Sequence, residues 1–277
     1  MKDKQALTQQ WFSVKQGNGD LAVTNELNSN QLTVQRSLKN KRKLKRGSHR
    51  TNQFAIRLRD LSGKPDALIE RLNRIALEGV PNYFGQQRFG RNEDNVTKAK
   101  QLFDGSLKIK DRYQRGIYIS AARAYLFNQV LTRRVETGAW NSYMPGDIMS
   151  LEGTSSSFKP IQWDQVLADR LDKKDIHPSG PMWGSGELLS DDLCAALEME
   201  VINTEADLKS GLEQIGLEQE RRALRSMPRN LKYSIEDDST ILVEFSLSKG
   251  AYATSILREL VKLRPLENKS AMSAGAV

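Results

Sequence analysis

Ser239-Thr-Ile-Leu-Val-Glu-Phe-Ser-Leu-Ser248 alternates apolar and polar side chains along most of its length. Such a period of two marks a strand with one buried face, because successive side chains of an extended backbone point to opposite sides. Ile241, Val243, Phe245 and Leu247 then share one face. Toward the other end of the chain, Phe54-Ala-Ile-Arg-Leu-Arg-Asp60 reads the same way, with Phe54, Ile56 and Leu58 on one side and Arg57 and Arg59 on the other. One strand toward each end, with helices and loops between them, predicts an α+β fold whose sheet domain is interrupted by an insertion.

The intervening segments follow from their periods and punctuation. Pro65 opens a helical pattern through Leu68, Ile69, Leu72, Ile75 and Ala76 that Gly79 closes, as expected of proline at a helix start and glycine just past its end. Tyr118 to Val135 reads as a second helix with Ser120 near its start. Trp140 to Gly186 reads mostly as loops with short apolar pieces. Ser190 to Met227 reads as helical again, with Ser190 as N-cap ahead of Asp191 and Asp192 and Pro228 as the stop. Gly250 leads into a last helix through Leu257, Leu260 and Val261, and the small, polar tail from Asn268 is expected to be disordered. No internal repeat is visible.

With 277 residues, 38% hydrophobic and 27% charged, the chain has the make-up of a soluble globular protein of one large or two ordinary domains. No stretch reaches the ~18 uninterrupted apolar residues of a membrane helix. Met1-Lys2-Asp3-Lys4-Gln5 carries charge without the apolar core of a secretory leader, so the expected location is the cytoplasm. Cys194 is the sole cysteine, which excludes an intramolecular disulfide and a cysteine-based zinc cluster. His49 and His177 stand far apart and in no metal-ligand spacing, so no metal is expected. Gly184-Ser-Gly186 lacks the context of a dinucleotide loop.

The net charge of +8 is localised. Ten lysines and arginines and no acidic residue lie between Arg36 and Arg59, leaving 32 basic against 34 acidic residues elsewhere. Clustered cations of this kind gain affinity for a polyanion by displacing its counterions, whereas a solvated basic loop is the plainer alternative.

Five separated blocks carry a resemblance to a known family. Met1-Lys-Asp-Lys-Gln-Ala-Leu-Thr-Gln-Gln-Trp11 resembles the signature Gly-x-Lys-Asp-x-x-Ala-x-Thr without its leading glycine. Arg46-Gly-Ser-His-Arg-Thr-Asn-Gln-Phe54, Gly79-Val-Pro-Asn-Tyr-Phe-Gly-Gln-Gln-Arg-Phe-Gly90, Ser120-Ala-Ala-Arg-Ala-Tyr-Leu-Phe-Asn128 and Gly250-Ala-Tyr-Ala-Thr-Ser-Ile-Leu-Arg-Glu-Leu260 follow in the same order. Together they resemble the TruD family of tRNA pseudouridine synthases.

The resemblance implies a pseudouridine synthase catalytic domain, α+β with a mixed and mainly antiparallel sheet, from residues 1–78 and 228–264. It also implies a family-specific insertion from 79–227, ahead of the tail 265–277. The implied activity is isomerisation of one uridine of tRNA, uridine 13, without a cofactor: the N1–C1′ bond breaks, the base turns and a C5–C1′ bond forms. Asp3 matches the position of the catalytic carboxylate, whether it attacks the sugar, adds to the base or removes a sugar proton. Asn52 stands at the place of a polar substrate contact, and Phe54 and Tyr252 at the places of the pocket aromatics; family members often carry phenylalanine where this chain has Tyr252. Core packing is the alternative role for Phe54.

An ionised Asp3 in a pocket needs positive charge beside it. Lys2 and Arg258 are the candidates, and Arg258 is favoured because a strand neighbour of Asp3 points to the opposite face. Lys41, Arg42, Lys43 and Arg46 are the candidate RNA phosphate contacts, with Arg88, Arg91 and Arg123 available in the insertion. The expected partner is tRNA, with no membrane and no protein partner, and the expected state is a monomer. Family members have several tens of residues before the Lys-Asp motif, so the chain is expected to lack that N-terminal segment; a tRNA-binding but non-catalytic remnant is the competing reading.

Overall fold

The computed structural model describes residues 6–14, 32–45, 47–63 and 65–262. The chain divides after Arg50 into two compact units. In the described part of the first, Gln9 donates to Gln35 at 3.0 Å and the Leu44 amide donates to the Ser13 hydroxyl at 3.1 Å, and nearly every side chain faces water.

The second unit opens with β1 (Thr51–Leu58). It pairs antiparallel with β9 (Thr240–Ser248), which pairs antiparallel on its other side with β8 (Arg229–Asp237). The register sets Phe54 opposite Phe245 and Ile56 opposite Val243. One face of the sheet is therefore continuous and apolar. Helices α1 (Pro65–Glu78) and α7 (Ala253–Leu260) supply Leu72, Ile75, Ile256 and Leu260 to the same core as Leu58, Ile241, Val243, Phe245 and Leu247. On the outer face Arg57 pairs with Glu236 at 2.6 Å. Gly79 ends α1 with φ +77, and a Cβ there would lie 2.7 Å from the Ser226 carbonyl oxygen. Both constraints demand glycine, and they allow β2 (Val80–Pro81) to pair with β7 (Arg225–Ser226).

A second core forms around α3 (Arg112–Glu136), which packs with α2 (Asp94–Phe103), α5 (Asp192–Asn203) and α6 (Ala206–Gln214). Ala121, Ala122 and Ala124 are fully buried among Leu126, Phe127, Leu131, Ile202, Leu208 and Leu212. Small side chains at these positions let the neighbouring backbones approach α3 closely, so the larger residues interdigitate at interior density. A four-stranded sheet in the order β4-β3-β5-β6 completes the unit, from β3 (Met149–Leu151), β4 (Ser157–Phe158), β5 (Ile176–Met182) and β6 (Glu220–Ala223). Helix α4 (Gln165–Asp172) lies against it, capped by Asp164, whose carboxylate accepts from the Leu167 amide at 2.9 Å. The fold is α+β, as the two strand patterns predict.

Three local expectations are corrected. Ser190–Met227 is not helical throughout: helices Asp192–Asn203 and Ala206–Gln214 are followed by β6 and β7. In Glu220-Arg-Arg-Ala the arginines turn inward to hydrogen-bond carbonyls and carboxylates, a demand no apolar period reports. Ser190 is not the N-cap; Asp191 precedes α5, and the Ser190 hydroxyl instead donates to the buried Glu198 at 2.6 Å. Within Trp140–Gly186, β5 carries Pro178 and Pro181 in a paired strand. Proline ordinarily argues against a central strand because it cannot donate, but Pro178 serves here as an acceptor for the Leu224 amide at 2.8 Å. The expected tail lies outside the described residues.

Candidate active site

Three of the five sequence blocks converge in the second unit. Val80–Pro81 pairs with β7, and the chain that follows crosses α3 between Thr132 and Ser120 and meets the start of α7. Asn82 is buried; its amide donates to the Leu224 carbonyl and its side chain to the Ala223 carbonyl, both at 2.8 Å. The Phe84 amide donates to the Asn128 side chain at 2.9 Å, which donates back to the Phe84 carbonyl at 3.0 Å. This reciprocal pair clips the Gly79–Gly90 segment onto α3. The Tyr83 carbonyl accepts from Ser255 at 3.0 Å, clipping the segment onto α7. A Cβ on Gly85 would meet the Thr254 hydroxyl at 2.8 Å, so glycine keeps this approach close.

Tyr252 immediately precedes α7 and sits at the centre of this convergence. Its ring is half-buried and meets Phe84 edge-on, with centroids 5.9 Å apart, and Phe84 in turn meets Phe127 edge-on. The Tyr252 hydroxyl accepts from the Arg88 guanidinium at 2.8 Å, while the other terminal nitrogen of Arg88 donates to Ser120 at 3.0 Å. A second guanidinium, Arg222 from β6, lies 4.1 Å from the Phe84 centroid and donates to the Asn82 side chain at 2.7 Å and the Gly250 carbonyl at 3.1 Å. Burial, opposed only in part by Tyr252, pushes Arg222 down to about 10, and the positive charge of Arg88 pushes in the same direction.

A second polar cluster braces the strand leading to Tyr252. Glu152 accepts from His177 and Arg229 at 2.8 Å each and from the Ser248 hydroxyl at 3.2 Å. Arg225 donates to Nδ1 of His177 at 2.8 Å, which places the imidazole proton on Nε2 facing Glu152. Burial alone would raise the Glu152 carboxyl, but the hydrogen bonds and charge of His177 and Arg229 hold it at about 2. Burial lowers His177, with Glu152 opposing, and burial also lowers Arg225 to about 10.

The remaining residues singled out in the sequence are distributed as follows. Asn52 lies opposite Leu247 at the end of the sheet from which the Tyr252 turn departs. Phe54 stacks on Phe245 with centroids 5.4 Å apart and belongs with the sheet core, so it is packed separately from Tyr252. Arg258 is exposed and lies over the Tyr83 ring at 4.6 Å. Lys41, Arg42 and Lys43 are exposed in the first unit. Asp3, Lys2 and Arg46 lie outside the described residues. Among the described residues no group of three or more His, Cys, Asp and Glu side chains is placed to hold a metal, and no helix is long and apolar enough to cross a membrane. Sequence reasoning missed Arg222 and Glu152. Neither stands in a patterned segment, and each acquires its meaning from partners far away in the chain.

The arrangement matches known proteins along nearly its whole length. The model of the family described as tRNA pseudouridine synthase D (TruD) matches residues 1–99 and 94–260. A tRNA pseudouridine synthase D from Hydrogenovibrio crunogenus is 39% identical over 263 residues, covering 95% of this chain and 76% of that protein. One from Nitrosococcus oceani is 41% identical over 264 residues, covering 95% and 74%. One from Xanthomonas oryzae pv. oryzae is 44% identical over 280 residues, covering 94% and 74%. The crystal structure of the putative tRNA pseudouridine synthase D from Methanosarcina mazei superposes with a TM-score of 0.66 at 19% identity, over 90% of this chain and 77% of that one, and so shares the fold. With a family match from the first residue to residue 260, the chain belongs to the tRNA pseudouridine synthase D family.

Proposed function

We propose that this chain isomerises uridine 13 of tRNA to pseudouridine, with Asp3 as the catalytic carboxylate and no cofactor. The observation that carries this reading is the placement of Tyr252. Three family blocks converge on its half-buried ring, whose hydroxyl is fixed by Arg88 at 2.8 Å. A uridine in folded RNA must leave its stack to react, at a cost of a few kcal/mol. Stacking on an aromatic ring returns roughly 1–3 kcal/mol per base. A ring with fixed orientation stacks a base without first losing its own rotational freedom.

In this reading Asn52 contacts the base and Phe54 lines the pocket from the sheet. Lys2 and Arg258 favour the ionised form of Asp3. Lys41, Arg42, Lys43 and Arg46 hold the RNA backbone. Residues 1–78 and 228–264 form the catalytic domain and 79–227 the family insertion, in a monomer acting in the cytoplasm.

The test is incubation of unmodified tRNA with the protein, followed by pseudouridine mapping. Pseudouridine at position 13 is expected from the wild type. Asp3→Asn is expected to abolish turnover while leaving tRNA affinity within a few-fold. Product at another position refutes the assignment of the target, near-wild-type turnover by Asp3→Asn refutes the carboxylate, and tRNA binding without product leaves only an RNA-binding role.

A further inference from the structure

We propose that Arg88 and Arg222 form an anion site beside Tyr252 that receives an RNA backbone phosphate flanking the uridine stacked on that ring. This rests on the stacking role of Tyr252 given above.

Two features of the pair need a counter-charge that the described residues do not supply. The guanidinium carbons of Arg88 and Arg222 lie 5.5 and 4.1 Å from the centroid of the same ring, Phe84, so two like charges are held close together. Their hydrogen bonds all run to neutral groups: the Ser120 and Tyr252 hydroxyls for Arg88, and the Asn82 side chain and the Asn82 and Gly250 carbonyls for Arg222. Arg134, Arg221 and Arg123 of this unit are instead paired with carboxylates, Asp147, Glu198 and Glu220, and Arg225, which donates to His177 and two carbonyls, has no second guanidinium on the same ring. Arg222 also keeps a buried Nε without an acceptor.

A purely structural clip between Asn82 and Gly250 accounts for Nη2 of Arg222. It leaves unexplained why a second cation is set beside the first with no carboxylate. Both arginines are half-buried, and partly desolvated cations set close together without a counter-charge are costly, a cost that an arriving anion relieves. Arginine suits this task because its planar fork pairs with phosphate oxygens. The chemistry beside a stacked base selects the anion: in a polynucleotide the charge next to each base is its own phosphodiester.

The experiment is a binding cycle with a short RNA hairpin carrying the target uridine. A neutral methylphosphonate replaces the phosphate on the 5′ or the 3′ side of that uridine, and each RNA is titrated with wild type, Arg88→Gln and Arg222→Gln. In the wild type one of the two replacements is expected to weaken binding about tenfold, the scale of a lost charged hydrogen bond. In Arg88→Gln, and likewise in Arg222→Gln, the same replacement is expected to weaken binding by only about threefold, because one of the phosphate's two partners is already gone. Near-UV circular dichroism checks folding, and Arg88→Gln alone suffices if Arg222→Gln does not fold. A replacement that costs the same factor in wild type and variant, or nothing in the wild type, overturns the proposal. Pseudouridine formation by the wild type is measured in parallel. Product together with an uncoupled cycle removes the anion site and leaves the isomerase reading; a coupled cycle without product does the reverse.

Discussion

Replacing Glu152 by glutamine preserves its shape and removes its charge. The carboxylate joins three parts of the unit, accepting from His177 on β5, Arg229 on β8 and Ser248 at the end of β9. A carboxyl held at about 2, against 4.5 for the free group, corresponds to roughly 3 kcal/mol at pH 7. The side chain keeps 19% of its surface exposed, and solvent screening reduces the expected contribution to about 2 kcal/mol. The sign follows from the depressed value: the contribution is complete above pH 4.5 and is lost as pH falls through about 2. His177 is depressed as well, so its neutral form adds stability above its ordinary value of 6.5 that fades below it. Urea unfolding followed by tryptophan fluorescence reads this region, since three of the four tryptophans (Trp140, Trp163 and Trp183) lie in it. Glu152→Gln is expected to lose about 2 kcal/mol at pH 7, and its deficit to shrink by about 1 kcal/mol on going to pH 3.5. A variant within about 0.5 kcal/mol of wild type at pH 7, or a deficit unchanged at pH 3.5, refutes the argument.

Two further perturbations test other parts of the molecule. Arg134 and Asp147 form a bidentate pair at 3.0 and 2.9 Å, almost wholly buried. Arg134→Leu leaves Asp147 without its counter-charge and is expected to cost about 3–5 kcal/mol, part of it recovered by adding Asp147→Asn. A single-variant cost below about 1 kcal/mol in the same urea experiment argues against a paired, desolvated charge. Neutralising Lys41, Arg42 and Lys43 together is expected to weaken tRNA binding and flatten its salt dependence by up to ~0.9 in slope per lost phosphate contact. An unchanged slope means these cations face only water.

The sequence by itself determined the elements whose side chains repeat. The alternation of Phe54, Ile56 and Leu58 and of Ile241, Val243, Phe245 and Leu247 specified both strands and their buried faces, because an extended chain sorts its side chains every second residue. Pro65 and Gly79 bounded α1 because one pre-sets a helical φ and the other tolerates φ +77. The five ordered blocks identified the family, since they preserve local chemistry at fixed spacing. Only tertiary structure decided the rest. Strand β8 is nearly all exposed and owes its existence to pairing with β9, and β5 stays paired despite two prolines, with the Pro178 carbonyl accepting from the Leu224 amide. Glu152, 25 residues from His177 and 96 from Ser248, becomes a brace only when the chain closes. Arg88 finds Tyr252 across 164 residues, and Arg222 reaches Asn82 across 140. Apolar burial is read from a period because it depends on which face a residue occupies. A hydrogen bond between two polar side chains depends on which single partner the fold brings to about 3 Å, and no local pattern encodes that choice.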